Sequence, residues 1–246
     1  MLKVENLNVH YGSTQILWNV SLQVAAGEIA AIMGPNGSGK STILKAIIGL
    51  VKASSGAVTL DGETLLGVPT HEMLARRVGL IMERRCLFPA MTVIENVRMG
   101  AFHPVAAAQF DENLAWVRQL FPLIDQKANA AAGQLSGGQQ QMVAIARGLM
   151  GAPRYLMMDE PFLGLSPKIV DQIADVMRAV KDRGIAVIFN EQNAHLSFSL
   201  SDRGYLLESG RIVIEGSGLG MLENETIRQV YLGVETAGQA GDGHVA

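Results

Sequence analysis

The stretch GPNGSGKS, residues 34–41, lies between an apolar run and a run with helical spacing. The apolar run before it, residues 29–33, has the length and composition of a buried parallel strand, and residues 43–48 carry apolar side chains at helical spacing before Gly49. The glycines therefore stand where a strand turns into a helix, where backbone N–H groups are unpaired and the helix dipole favours negative charge. The pattern G-x-x-x-x-G-K-S/T in this setting predicts a phosphate-binding loop, and a plain glycine-rich turn is the disfavoured alternative.

The phosphates of a nucleotide are the predicted occupant of this loop. Lys40 is expected to meet the β- and γ-phosphates, and the hydroxyl of Ser41 is expected to complete the coordination of Mg²⁺. The nucleotide-binding residues predicted in this part of the chain are Gly34, Pro35, Asn36, Gly37, Ser38, Gly39, Lys40, Ser41 and Thr42.

The composition favours one nucleotide-binding domain with an α/β fold. The chain has 246 residues and is 48% hydrophobic, which suffices for one substantial core. Its 20 basic and 23 acidic residues give a net charge of −3, which offers no electrostatic footprint for nucleic acid. No run approaches the roughly 20 apolar residues of a membrane span, so we expect a cytoplasmic protein. The single cysteine, Cys86, excludes an internal disulfide.

The remaining patterns predict further strands around the one that leads to the loop. Residues 2–9 mix apolar and polar side chains like an edge strand, and residues 57–62 end in Asp-Gly, which predicts an antiparallel hairpin beside the parallel sheet. Residues 78–82 and 185–189 predict two more short strands, and residues 205–215 predict a second hairpin.

A change in sequence character predicts the domain organisation. From about residue 88 to residue 151 the chain has helical patterns, which predict an inserted helical subdomain. The core would then comprise about residues 1–87 and 152–233, and together these parts would form a single domain over residues 1–233. The small and polar residues 234–246 predict a disordered tail.

A second helix start has open N–H groups. Ser136 and Gln139 form a capping box, with Gly137 and Gly138 between them in the first turn. This arrangement predicts a second anion-binding helix start, although an ordinary capped helix is the favoured interpretation when the segment is considered alone.

Two carboxylates follow the apolar run at residues 155–158. Asp159 and Glu160 therefore lie at the edge where open α/β sheets bind ligands, and we expect them to point to opposite sides. Asp159 is predicted to hold Mg²⁺ through water, and Glu160 to orient or deprotonate the water that attacks the γ-phosphate. A solvated strand end is the disfavoured alternative. Tyr11 can stack on a nucleotide base or belong to the core, and the residues leave both roles open.

Together these motifs resemble those of the ATP-binding cassette (ABC) family over residues 2–233. The decisive segment is residues 135–139, LSGGQ, which is similar to the signature sequence of that family and lies between the phosphate loop and Asp159. The resemblance implies a P-loop NTPase (RecA-like) core with a mainly parallel sheet, an N-terminal antiparallel β part and an inserted α-helical subdomain. It also implies hydrolysis of ATP to ADP and phosphate with Mg²⁺. In the family two such domains pair head to tail, and the signature helix of one, here Ser136, Gly137, Gly138 and Gln139, covers the γ-phosphate held by the other.

The resemblance assigns roles to further residues by their positions. Tyr11 is similar to the aromatic residue that stacks on adenine. Glu83 stands where the family usually has a glutamine that contacts Mg²⁺ and water and faces the transmembrane partner. Gln192 stands where the family has its switch histidine, whereas His195 is expected on a helix surface. The glutamine can hydrogen-bond a γ-phosphate but cannot carry a positive charge. The catalytic residues implied are therefore Glu160, Lys40 and Gln192.

Several segments resemble the F-type ATPase of branched-chain amino acid importers, among them Glu83, residues 191–193 and residues 230–233. This implies a second ABC ATPase, two membrane permease subunits and, indirectly, a periplasmic solute-binding protein as partners. It implies no nucleic acid, and a place on the inner face of the cell membrane through the permeases. A urea or short-amide importer ATPase stays open as an alternative, and a non-transport cassette acting on nucleic acid or the ribosome is less favoured.

Overall fold

The computed structural model describes residues 1–233, and these residues form two β-sheets with helices around them. The strands are β1 (Leu2–Tyr11), β2 (Thr14–Val24), β3 (Ile29–Met33), β4 (Ala53–Leu60), β5 (Glu63–Thr64), β6 (Val78–Ile81), β7 (Tyr155–Asp159), β8 (Ala186–Glu191), β9 (Arg203–Glu208) and β10 (Arg211–Ser217). The helices are α1 (Lys40–Ile47), α2 (Val93–Arg98), α3 (Pro104–Ala107), α4 (Phe110–Leu120), α5 (Leu123–Gln126), α6 (Gly137–Met150), α7 (Pro167–Asp182), α8 (Ala194–Leu200), α9 (Gly218–Glu223) and α10 (Glu225–Val230). The tail predicted at residues 234–246 lies outside the described residues.

The larger sheet positions the phosphate loop. Its six strands lie in the order β10-β9-β3-β8-β7-β6, and every pair is parallel except β9 with β10. All residues of β3, β7 and β8 are buried, as expected for parallel strands covered on both faces. The predicted mainly parallel sheet is therefore confirmed. The carboxyl ends of β3, β7 and β8 meet at one edge, and this edge carries the candidate site.

The smaller sheet is antiparallel, with the order β2-β1-β4-β5. The predicted hairpin between β4 and β5 is confirmed, and Asp61 and Gly62 both have positive φ in its turn. The prediction that β1 is an edge strand is wrong, because β1 pairs with β2 on one side and with β4 on the other. An antiparallel strand with one face on the core alternates apolar and polar residues at any position in the sheet. The pattern therefore does not distinguish an edge strand from a central one.

Two apolar cores lie on opposite faces of the parallel sheet. Alternate residues of β3 divide between them: Ala30 and Ile32 pack towards the antiparallel sheet and α1, whereas Ala31 and Met33 pack towards the helices of the opposite face. The buried Tyr205 joins the two sheets, because its hydroxyl donates to the carbonyl of Gln23 at 2.7 Å and accepts from the N–H of the same residue at 3.0 Å.

Helices α2 to α6 fill the chain between β6 and β7, where the sequence predicts helices. The predicted capping box at Ser136 is confirmed at the start of α6, and Thr92 forms another capping box at the start of α2. The boundaries of the subdomain at about residues 88 and 151 stay a prediction. None of the helices in residues 1–233 combines the length and the apolar character needed to cross a membrane.

Candidate nucleotide-binding site

The loop between β3 and α1 forms one side of a cleft of about 480 Å³. Several residues predicted from the sequence meet in this cleft, and two apolar residues, Ile16 and Leu163, also line it. The predicted residues lining the cleft are Tyr11, Asn36, Gly37, Gly39, Lys40, Ser41, Thr42, Glu83, Glu160 and Gln192. Tyr11 has an exposed ring at the end of β1, which leaves one of its faces available for stacking.

The glycines of the loop are required by close packing and by backbone conformation. A Cβ on Gly34 would lie 2.2 Å from the carbonyl oxygen of Leu207, and Gly39 has φ 106°. The N-cap residue of α1 is Gly39, which has no side chain to cap the helix, and the first turn of α1 contains no acidic residue. The N–H groups at this helix start therefore stay available for an anion. The buried hydroxyl of Ser38 also has no hydrogen-bond partner within residues 1–233.

Lys40 places a buried cation at the centre of the loop. Its side chain is only 4% exposed, and Nζ donates to the carbonyl oxygens of Gly34 at 2.8 Å and Pro35 at 3.1 Å. Burial lowers the pKa of Lys40, while the charges of Glu160, Glu191 and Asp159 oppose this shift. The charge of the lysine is thus directed to the place where the sequence predicts phosphate.

Ser41 and Asp159 form an oxygen-rich pair beside the lysine. The Oγ of Ser41 donates to Oδ1 of the buried Asp159 at 2.6 Å. A hydroxyl and a carboxylate are ligands that Mg²⁺ prefers, so the pair fits this ion. Within residues 1–233 no group of three or more His, Cys, Asp or Glu residues could hold a metal.

Glu160 lies just beyond the end of β7 and has φ 46°. Its Oε1 is 3.9 Å from Nζ of Lys40, and both of its carboxylate oxygens accept from Nε2 of Gln192, at 3.2 and 3.3 Å. The expectation that Asp159 and Glu160 point to opposite sides is wrong, because the positive φ ends the alternation of the strand. Both carboxylates are directed to the phosphate loop.

Sequence reasoning gave no role to two residues at the end of β8. Asn190 is opposite Asp159 in the parallel register, is fully buried, and donates from Nδ2 to Oδ1 of Asp159 at 2.7 Å. Burial raises the pKa of the neighbouring Glu191, although the N–H group of Gln192 opposes the shift. The sequence did contain a signal for Asn190, because an asparagine in an apolar strand destabilises the protein unless its amide is hydrogen-bonded.

The signature segment lies elsewhere. Ser136 accepts from the N–H of Gln139 at 3.4 Å, and the side chain of Gln139 accepts from the N–H of Ser136 at 3.1 Å. A Cβ on Gly138 would lie 3.0 Å from the side chain of Ile169. Among the described residues that line the cleft around Lys40, none comes from this segment. The chain therefore does not bring its own signature residues to its own phosphate loop.

The segment after Glu83 is held by α6. The guanidinium of Arg147 donates to the carbonyl oxygens of Arg85 at 2.9 Å and Cys86 at 2.8 Å, and Nε of Arg85 donates to Gln141 at 3.2 Å. Arg85 and Cys86 both have positive φ. One side of the nucleotide cleft is therefore fastened to the helix that begins with the signature.

Comparisons with known proteins agree with these features. A family model described as "ABC transporter" matches residues 17–163. The chain is 39% identical over 233 residues to the high-affinity branched-chain amino acid transport ATP-binding protein BraG of Pseudomonas aeruginosa, covering 95% of this chain and 100% of that protein. It is 34% identical over 235 residues to an Archaeoglobus fulgidus protein named "Probable branched-chain amino acid transport ATP-binding protein LivF", covering 95% and 99%. The crystal structure of the ADP conformation of MJ1267, an ATP-binding cassette of an ABC transporter, matches with a TM-score of 0.83 and 27% identity over 95% of this chain and 99% of that one.

Proposed function

Because the chain belongs to the ABC transporter family, we propose that it is the ATP-hydrolysing subunit of an importer of branched-chain amino acids. The observation that carries the ATPase part is that Lys40, Ser41 and Glu160 line one cleft, with the buried Asp159 hydrogen-bonded to Ser41. The importer part is supported by the 39% identity to BraG, which covers the full length of that relative.

The proposed reaction transfers the γ-phosphoryl group of ATP to water, which yields ADP and phosphate. Glu160 would orient the attacking water and accept its proton, and it stands 3.9 Å from Lys40 at the edge of the cleft. Lys40 and the open N–H groups of the loop would stabilise negative charge on the departing group. Ser41 and Asp159 would hold Mg²⁺, which supplies further stabilisation of that charge.

A single chain would offer two half-sites. The phosphate loop and the segment from Ser136 to Gln139 do not share a cleft in residues 1–233. The start of α1 has no side-chain cap, whereas α6 begins with the capping box of Ser136 and Gln139. We propose that a second cassette, either another copy or a different ATPase, supplies its signature segment to this loop in a head-to-tail pair. Two such complete sites would then close around two nucleotides.

The remaining partners follow from the importer proposal. Two membrane permease subunits would hold this chain at the inner face of the cell membrane, and a periplasmic binding protein would deliver the solute to them. Glu83 lines the nucleotide cleft, and α6 fastens the segment that follows it, so this region is suited to convey closure of the cleft to the permeases.

Isolation of the intact transporter tests the proposal. The chain, tagged at its C-terminus, is captured from native membranes, and the retained proteins are identified by mass spectrometry. We expect a second cassette ATPase, two permeases and a binding protein of the amino acid type. A binding protein selective for urea or short amides would reassign the solute. Ribosomal or DNA-repair proteins without a permease would overturn the transport role and leave the ATPase role standing.

Hydrolysis is tested on the same isolated transporter. Release of phosphate from ATP should require Mg²⁺ and should increase when the bound solute is presented by its binding protein. Absence of phosphate release under every condition would overturn the ATPase proposal.

A further inference from the structure

Asn190 is an unusual residue type for the buried strand in which it lies. Strand β8 reads AVIFNE, all six residues are buried, and the strand lies between β3 and β7 inside the parallel sheet. Asparagine is depleted in strands, and a buried amide destabilises the fold unless its hydrogen bonds are satisfied. The side chain of Asn190 is 0% exposed. Such a local exception to strand chemistry is typical of a functional site.

One end of this amide reaches Asp159, a predicted Mg²⁺ ligand, and the other reaches Glu160, the predicted catalytic base. Nδ2 donates to Oδ1 of Asp159 at 2.7 Å and lies 3.5 Å from Oγ of Ser41, while Oδ1 accepts from the backbone N–H of Glu160 at 2.6 Å. Only this orientation of the amide satisfies all its neighbours, because an ionised carboxylate only accepts and a backbone N–H only donates. One side chain from β8 therefore connects two consecutive residues at the end of β7.

The bond to Glu160 stands where the backbone is unusual. Glu160 has φ 46°, in the left-handed region that residues with a Cβ rarely adopt. A backbone of this kind persists where its surroundings hold it, and the N–H of Glu160 has its partner in Asn190. The same turn directs the carboxylate of Glu160 towards Lys40 and Gln192.

We propose that Asn190 is a positioning residue that sets Asp159 and Glu160 in one fixed geometry. The proposal rests on the proposed hydrolysis of ATP. Asn190 holds the carboxylate of Asp159 against Ser41 through one amide atom, and through the other it holds the peptide that aims Glu160. Displacement of the Asp159 carboxylate or of the peptide group of Glu160 thus requires a bond of Asn190 to break. Asn190 does not line the cleft itself, so it acts through these two residues.

Two nearly isosteric substitutions distinguish the bond to Asp159 from the bond to the N–H of Glu160. Asn190→Leu removes both hydrogen bonds and keeps the strand apolar. Asn190→Asp keeps an acceptor for the N–H of Glu160 and replaces the donor to Asp159 with a second carboxylate. Ile188→Val serves as the control for packing, because Ile188 is buried in the same strand and does not line the cleft.

Amide hydrogen exchange in the nucleotide-free chain measures the hydrogen bond between the Glu160 amide and Asn190 independently of ATPase activity. In Asn190→Leu the amide of Glu160 should exchange at least about tenfold faster, while the amides of β7 before it stay protected. In Asn190→Asp and in Ile188→Val the amide of Glu160 should keep its protection. Unchanged exchange at Glu160 in Asn190→Leu would overturn the proposal whatever the ATPase assay shows. A uniform loss of protection across β7 in Asn190→Leu would also overturn it, since that result indicates only a structural role.

Kinetics of the assembled transporter provide the second readout. Asn190→Leu and Asn190→Asp should each lower kcat roughly 10- to 100-fold, which is the range for loss of a hydrogen bond to a charged group. KM for ATP should stay within about threefold, because the lost interactions orient the catalytic groups and do not bind the nucleotide. A kcat within about twofold of the wild type in Asn190→Leu would overturn the positioning role alone. A wild-type transporter without hydrolysis would instead overturn the proposed function.

Discussion

Nε2 of Gln192 lies 3.2 and 3.3 Å from the two carboxylate oxygens of Glu160. On another side of the same carboxylate stands the ammonium of Lys40, at 3.9 Å. The predicted catalytic base is therefore held by one neutral group and one buried cation. Because an amide does not titrate, Gln192 itself contributes no pH dependence to this contact.

Gln192→His should introduce a pH dependence that arises from the new imidazole. The carboxylate of Glu160 would raise the pKa of the imidazole above its ordinary value of about 6.5. Below that raised pKa the imidazolium would add positive charge near the departing phosphoryl group, so kcat should fall as the pH rises through it. Phosphate release measured from about pH 6 to 9 in both proteins checks this, and identical profiles would contradict it.

Glu160→Gln should retain nucleotide binding and lose turnover. The substitution keeps the size of the side chain and the hydrogen bond that the backbone N–H donates to Asn190. It removes the carboxylate that would accept the proton of the attacking water. General base catalysis contributes about 100- to 10,000-fold, so kcat should fall by at least about 100-fold. Binding is measured by titration with ATP and turnover by phosphate release. Undiminished hydrolysis would remove Glu160 from the role of base.

Lys40→Ala should abolish tight binding of ATP, because it deletes the buried cation that the loop carbonyls orient. Lys45→Ala is the matched control, since Lys45 carries the same charge in the last turn of the same helix and does not line the cleft. The dissociation constant for ATP, measured by calorimetry, should rise in the first variant only. Equal affinities in the two variants would mean that the loop does not hold phosphate.

Gly34→Ala should destabilise the chain more than Gly37→Ala does. The new Cβ at residue 34 would meet the carbonyl oxygen of Leu207 at 2.2 Å, and a backbone atom of β9 cannot move aside. At Gly37 the space is open and only its φ of 78° opposes a side chain, which costs about 1–2 kcal/mol. We expect Gly34→Ala to lower the free energy of unfolding by roughly 3 kcal/mol or more. Thermal unfolding of both variants compares the two costs, and the reverse order would refute the packing argument.

Ser136→Ala and Thr92→Ala should differ in function and agree in stability. Each residue is the N-cap of a capping box, so each substitution should cost about 1 kcal/mol in the free energy of unfolding. Only Ser136 belongs to the segment that we propose a partner cassette receives. Phosphate release at saturating ATP should therefore fall in Ser136→Ala and stay near the wild-type rate in Thr92→Ala. Equal rates in the two variants would argue against the head-to-tail pair.

The features predicted correctly from the sequence are those whose cause is local. The turn at Asp61 and Gly62 and the cap at Ser136 depend on a few neighbouring residues, and both are confirmed. The fold class is confirmed for a related reason, because buried parallel strands such as β3 carry continuous apolar runs.

The features that sequence reasoning missed depend on contacts between distant residues. Asn190 meets Asp159 across 31 positions of the chain, and no spacing rule reports such a pair. The position of β1 inside its sheet depends on β4, which begins at Ala53. The direction of Glu160 depends on a backbone conformation that the residue type itself disfavours.

The place of β3 in the larger sheet determines when the phosphate loop can be assembled. Strand β3 is synthesised before both of its neighbours in the sheet, β8, which begins at Ala186, and β9, which begins at Arg203. Met33, the last residue before the loop, pairs with Leu206. A ribosome that adds about 5–20 residues per second needs roughly 10 to 35 seconds to travel between these two positions. The nascent chain therefore carries its GPNGSGKS segment without the two neighbouring strands until β9 has been synthesised, and the ability to hold a nucleotide arises only after that point.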